Sequence, residues 1–384
     1  MIYISLLLLL LIFMAVSSRK NQSSYSDVNE SYYYHSGINR TSRHRLLINA
    51  TTLLLFFWFV YAVIIMGFRG DFTADYNGYD AWFHRIDDMP SDSFWEYFGI
   101  KNIFSMSLET GYAMLNWFLG WFTNNSIWLF VACAIIICAP AFLLFYKCEK
   151  PWLAVLLWIS IGPYLESFNT MRGAMAASIL IFSLKYLKER KLVKYIIVVL
   201  IATSFHSIAI VMLIVYFLPL IKPSIRSVII LVVAVFVVST FGEVLVTKYN
   251  NIFHIAYNDV QAVALLNRNK SSGASLIVPL MIEVISFFLF FDEAKKGEID
   301  LDDTKVRILF NGNLIWVLFT VLLLVTSYST RFAMLFFYYP CIFISYLIAR
   351  RKTNRIYYLI IVGIASVWYL VNALFRYPAY YFAF

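Results

Sequence analysis

Arg172 and His206 each interrupt a long apolar run of this sequence. A charged or titratable side chain costs about 2.5 kcal/mol or more at such a depth in a bilayer. Residues of this kind persist where they face a polar cavity or do chemistry. Arginine is always charged and carries a planar fork of donors suited to gripping phosphate with two bonds. Histidine ordinarily titrates near neutrality, so His206 can take a proton from a hydroxyl. Arg331 also opens an apolar run, and a helix N-terminus adds a partial positive charge there. The stretch from Arg69 to Glu109 supplies Asp71, Asp75 and Tyr79, residue types that bind and stack on sugars. A cationic pocket at one membrane face, with these residues on its rim, suits a lipid-linked pyrophosphate. The chain has no glycine-rich phosphate loop, no Gly-x-Ser-x-Gly elbow, no His-Glu-x-x-His and no zinc-type cysteine spacing. Asp71 and Asp75 have no specific metal-ligand spacing. Neither a metal nor a cofactor is assigned.

The elements that must hold these residues are membrane helices. The 384 residues are 61% hydrophobic and 14% charged, against roughly 25% charged in ordinary soluble chains. The apolar runs have the length that crosses a hydrocarbon core, roughly 20 residues. The net charge of +9 is therefore read by location, not as a nucleic-acid signal. Basic clusters at Arg19-Lys20, Arg40 to Arg45, Lys147 to Lys150, Lys185 to Lys194, Lys222 with Arg226, Lys295-Lys296 and Arg350 to Arg355 all belong on the cytoplasmic side.

That constraint predicts an all-α polytopic protein forming a single integral membrane domain over 1–384. It has about ten transmembrane helices and both termini outside. The spans are Met1–Val16, Leu46–Met66, Ile127–Tyr146, Trp152–Phe168, Met171–Leu187, Ile225–Leu245, Leu276–Phe291, Val306–Ser327, Arg331–Ala349 and Ile356–Phe375. A first outer loop, 67–126, carries a short amphipathic helix at Tyr112–Phe122. A second occupies 246–275 and holds Arg268 and Lys270. Both ends of Leu192–Leu220 are basic, so 192–220 becomes a re-entrant hairpin turning near His206, each half about 13 residues and roughly 20 Å long. A different treatment of Leu108–Phe122 and of the hairpin halves gives roughly eleven to thirteen segments. Cys133, Cys138, Cys148 and Cys341 have no partner across an oxidising compartment, so no disulfide is expected.

The same residues also have structural readings. Arginines at helix ends snorkel to headgroups. Gly173, Ala174, Ala176 and Ala177 let helices pack closely, and His206 beside Ser204 and Ser207 can bond across a helix interface. The 69–79 loop can be a solvated surface with an interfacial aromatic belt.

Phe68-Arg69 with Asp75-Tyr76 and Tyr79, Glu109-Thr-Gly-Tyr112, Met171-Arg172-Gly-Ala-Met-Ala176 with Tyr186 to Lys191, and Ala202-Thr-Ser-Phe-His206-Ser-Ile-Ala209 occur in a familiar order. Over roughly Tyr61 to Pro219 the chain resembles the EpsG family of Wzy-like polysaccharide polymerases. It departs from the family at Thr73-Ala-Asp75, usually Gly-Thr-Asp, and at Glu109-Thr-Gly111, usually Glu-Pro-Gly. The resemblance implies a GT-C-like, metal-independent glycosyltransferase at the outer face of the bacterial inner membrane. It would join undecaprenyl-pyrophosphate-linked oligosaccharide repeat units into exopolysaccharide, capsule or O-antigen. Arg172 and His206 would be catalytic, with Arg172 on the pyrophosphate and His206 on the acceptor hydroxyl. Arg69 and Arg331 would support phosphates, while Asp75, Tyr79 and Glu109 contact sugar. The partners implied are that lipid-linked oligosaccharide, the lipid bilayer and, as a further candidate, a chain-length regulator; no nucleic acid is implied.

Two other classes compete. A lipid-linked oligosaccharide flippase or exporter would use symmetric repeats and charges reachable from both sides, whereas here no repeat is found and the charges crowd the outer leaflet. An O-acyltransferase would set its histidine beside a carboxylate or within a longer polar helix.

Overall fold

The computed structural model describes residues 2–28, 50–87, 89–98, 108–161, 163–249, 274–324, 329–350, 355–376 and 379–383. Among these the protein is all-α, with no strand beyond an isolated bridge between Arg69 and Phe382. Five helices are long and apolar enough to cross a membrane: Ala50–Gly67, Ile127–Phe145, the apolar parts of Ala274–Lys295 and of the run from Thr304 to Leu324, and Arg355–Phe375. Ser329–Phe336 and Tyr338–Arg350, bent by 42° to each other, make a sixth if the pair is counted as one span.

Among the described residues, the rest of the roughly ten expected spans correspond to shorter or broken apolar helices. Where Trp152–Phe168 was expected, Pro151–Ser160 is followed by a separate turn, Pro163–Glu166, because Pro163 has no N–H with which to continue the ladder. The Met171–Leu187 span is interrupted too: Met171–Leu180 gives way to Ser183–Lys188 through tighter bonds from Ile181 N to Ser178 O and from Phe182 N to Ile179 O. The bend before Tyr338 precedes Pro340, whose ring and missing N–H deprive the Phe336 carbonyl of its partner.

The 192–220 segment doubles back. Leu192–Phe205 ends where His206 turns extended (φ −155°, ψ 115°), and the chain returns through short turns over 207–220. Its two ends are tied together: Tyr216 donates to the Arg190 carbonyl at 2.7 Å, and the Arg190 guanidinium lies 4.1 Å from the Tyr216 ring centroid. In the first outer loop, Thr110–Gly120 forms the short helix, with Tyr112, Ala113 and Asn116 buried. Two further helices, Tyr76–Asp87 and Ser91–Phe98, precede it. Most of the second loop, with Arg268 and Lys270, lies outside the described residues.

Packing between these helices cannot rely on exclusion of water, because lipid is as apolar as the side chains; close contact and internal hydrogen bonds hold them instead. Phe59 stacks on Trp158 at 5.5 Å, with Phe142 and Phe145 edge-on or tilted around them. The polar tips of buried aromatics end on carbonyls: Trp58 on Leu6 (3.1 Å), Tyr164 on Ala62 (2.7 Å) and Tyr369 on Tyr3 (2.8 Å). The Gly67 Cα lies so near Val131 that a Cβ there would sit 2.9 Å from the Val131 Cα.

The polar ends of the bundle separate cleanly. Lys305 pairs with Glu149 (2.8 Å), Lys222 with Asp302 (2.9 Å), and the Lys150 backbone with Ser345 (3.0 Å), all at one end. At the other, the C-terminal tail crosses the first outer loop, with Gly70 N donating to Tyr381 O at 2.8 Å and Ala383 N to Phe68 O at 3.0 Å. The candidate residues lie at this second end.

Candidate functional site

Glu109 stands immediately before the helix Thr110–Gly120 and is almost fully buried. One carboxylate oxygen accepts from His206 Nδ1 at 3.0 Å and from the Ser207 backbone N–H at 3.1 Å, with the Ser207 hydroxyl at 3.4 Å. The other oxygen pairs with the Arg172 guanidinium. Burial pushes the Glu109 carboxyl up, but the His206 hydrogen bond, the Arg172 charge and the Ser207 N–H outweigh it and hold the carboxyl at about 2. An ionised carboxylate only accepts, so Nδ1 of His206 carries the hydrogen, and in the neutral form of the ring the lone pair is at Nε2. That edge of the ring lies across Gly173: a Cβ on Gly173 would meet His206 Cδ2 at 3.4 Å and Nε2 at 3.8 Å.

The hairpin turn and the Glu109 helix approach as closely. A Cβ on Gly111 would lie 2.3 Å from Ser204 Oγ and 2.7 Å from the Ser204 carbonyl oxygen, which is backbone and cannot swing away. Gly111→Ala is expected to force the two helices apart and destabilise the protein by about 1–3 kcal/mol, read as a lower unfolding midpoint in detergent. An unchanged midpoint would show that the contact is not tight in the membrane.

The first outer loop is laced to the segment before Arg172. Asp75 N donates to the Asn169 side chain at 3.0 Å, and the Tyr79 hydroxyl donates to the Asn169 carbonyl at 3.1 Å. Tyr79 also meets the Arg172 guanidinium, which lies 6.0 Å from the Tyr112 ring centroid. Asp75 is exposed; burial of its carboxyl pushes it up, against the opposing charges of Arg172 and Arg331. Arg331, exposed in the first turn of Ser329–Phe336, lies within electrostatic reach of Asp75.

Of the seven residues singled out in the sequence, Arg172, Glu109, His206 and Tyr79 are joined by direct contacts, and Asp75 lies within electrostatic reach of Arg172 and Arg331. Arg69 is instead fully buried beneath the loop, donating to the Met66 carbonyl at 2.7 Å and the Phe168 carbonyl at 2.8 Å, with its guanidinium 4.6 Å from the Phe130 ring centroid. Glu109 faces inward, with both oxygens engaged by the protein. Asn169, which anchors the loop, was not anticipated; its position three residues before Arg172 was the available signal. The Glu109–His206 contact is the pairing that the sequence reading reserved for acyl transfer.

The arrangement brings together the His206 imidazole, the Arg172 guanidinium and the Glu109 carboxylate, with Asp75 and Arg331 nearby. Among the described residues no group of three or more His, Cys, Asp or Glu is placed to hold a metal ion. No curated protein and no solved structure matches the chain. A family model does match, over residues 52–384, which takes in the outer loop, both halves of the His206 hairpin and the C-terminal tail that covers Gly70: the chain belongs to the EpsG family.

Proposed function

We propose that this protein polymerises undecaprenyl-pyrophosphate-linked oligosaccharide units into an exopolysaccharide, capsule or O-antigen chain, working at the outer face of the bacterial inner membrane. Membership of the EpsG family supports a polysaccharide-polymerase role, and the Arg172–Glu109–His206 cluster is the observation that carries the chemistry. With the short and broken helices counted as crossings, the chain passes the membrane about ten times, and the cluster then opens outwards.

In this reading His206 Nε2 takes the proton of an acceptor sugar hydroxyl. The freed oxygen attacks the anomeric carbon of the donor, forming a new glycosidic bond as the bond to the pyrophosphate breaks. Negative charge grows on the departing pyrophosphate, and fixed cations stabilise it most where water is excluded. Arg331, exposed at a helix N-terminus, receives the phosphates together with Arg172, one arm of which is already held by Glu109. Asp75 and Tyr79 line the sugar side. Arg69 supports the loop from below. A chain-length regulator would dock outside this cluster.

The test uses a host lacking its own polymerase, supplied with wild type, Arg172→Ala or His206→Ala at matched membrane levels. The wild type is expected to give a ladder of repeats on lipid-extracted glycan. Each variant should cut ladder formation by about 100-fold or more, leaving single units. Ladders of normal intensity from both variants would remove these residues from the mechanism. The Glu109–His206 contact favours a second reading, transfer of an acyl group to a sugar hydroxyl. Single units that gain acyl mass, with no ladder, would establish it.

A further inference from the structure

A second polar cluster lies away from the Arg172 site, inside the bundle. Glu283 of the helix Ala274–Lys295 is 2% exposed, and Asn313 and Trp316 of Thr304–Val321 are equally buried. Asn313 Nδ2 donates to Glu283 Oε2 at 2.5 Å. Among the described residues, Glu283 Oε1, Asn313 Oδ1 and, one turn further along the second helix, Trp316 Nε1 are buried without a hydrogen-bond partner. No ion pair to Glu283 forms among the described residues, whereas Glu293, later on the same helix, has Lys296 at 3.4 Å.

Glu283 lies in a membrane-spanning helix, where an unpaired carboxylate is strongly disfavoured. Its helix packs against Thr304–Val321, Tyr338–Arg350 and Arg355–Phe375. Among the described residues, the groups of these helices that act on it are Asn313 and the buried thiol of Cys341; neither brings a positive charge. With Glu283 ionised, Glu283 Oε1 and Asn313 Oδ1 are both acceptors, so neither can satisfy the other. One proton changes the count. A hydrogen on Glu283 Oε1 turns that atom into a donor, and Asn313 Oδ1 has lone pairs to receive one.

We infer that Glu283 is a proton-binding site: a neutral carboxylic acid that pairs with the Asn313 amide through two bonds, Asn N–H to Glu O and Glu O–H to Asn O. The pair is a latch between the helices Ala274–Lys295 and Thr304–Val321. The second of these packs directly against Ser329–Phe336, which carries Arg331. Loss of the proton requires water to enter, so release of the proton and parting of the two helices are one event.

Infrared difference spectroscopy of the purified protein in lipid nanodiscs tests this, comparing wild type with Glu283→Gln at neutral pH. The wild type is expected to show the carbonyl band of a protonated carboxylic acid that the variant lacks. Glutamine can make both bonds with Asn313, so the variant should accumulate normally and unfold at the same temperature. Asn313→Leu, which cannot make either bond, should unfold at a lower one. Absence of the difference band means an ionised Glu283 and overturns the proposal. So does failure of Glu283→Gln to accumulate, because it would show that the negative charge itself is needed.

Discussion

Glutamine at position 109 is expected to leave the protein folded and to slow polymer formation about 100-fold, the scale at which a displacement of about 1 Å is felt by a reacting centre. The argument lies in donor and acceptor counting. Glu109 receives donors on both oxygens: His206 and Ser207 on one, Arg172 on the other. Glutamine has a single oxygen. If that oxygen faces His206 and Ser207, its amide group opposes the Arg172 guanidinium, donor against donor. If it faces Arg172, the amide opposes the Ser207 N–H and the protonated Nδ1 of His206. Either orientation releases one of the groups that the proposed reaction needs in register. The rate of ladder formation at matched protein levels measures this, and an unchanged rate would reduce Glu109 to packing.

The same substitution has a pH signature. The folded-state pKa of Glu109 is depressed, so the stability it contributes is fully present above its ordinary value of 4.5 and is lost as pH falls towards about 2. The unfolding midpoint of Glu109→Gln should therefore lie below that of wild type at neutral pH. The gap should narrow as pH falls below 4.5. A gap that widens on acidification would contradict the assigned ionised state.

Arg69→Met is expected to be the most destabilising single change in the outer region, by about 3–5 kcal/mol. Methionine fills much of the volume but leaves the Met66 and Phe168 carbonyls without their donors. Those two bonds join the end of the helix Ala50–Gly67 to the segment that leads into Arg172. Lysine is not a remedy, because its single nitrogen lacks the rigid fork that spans two carbonyls. Both variants should show reduced membrane levels and lower unfolding midpoints. Normal levels with lost activity would instead return Arg69 to the role expected from the sequence, that of a phosphate ligand.

The sequence carried the class of the fold and most of the candidate site. Charge distribution around apolar runs required an all-α membrane protein, and it required the 192–220 segment to turn, because both of its ends are basic. Arg172 and His206 stood out for an equally local reason: each is costly in an apolar run whatever surrounds it. Helix continuity was less legible. Hydropathy measures which residues tolerate lipid, and it does not register the turns that break Met171–Leu187 or the bend after Phe336.

Which candidate residues touch was decided by the tertiary structure alone. Arg69 and Arg172 both read in sequence as phosphate-binding arginines, each followed by a glycine. Tertiary structure buries the first under Phe168 and pairs the second with Glu109. Glu109 read as a loop carboxylate, yet it is the hub that joins Arg172 to His206. Glu283 was passed over inside an apolar helix, and its pairing with Asn313 required the fold. Composition and local pattern determine which residues a membrane must accommodate. Which of them meet depends on contacts between segments about a hundred residues apart, such as Glu109 with Ser207, and a one-dimensional pattern carries no record of these.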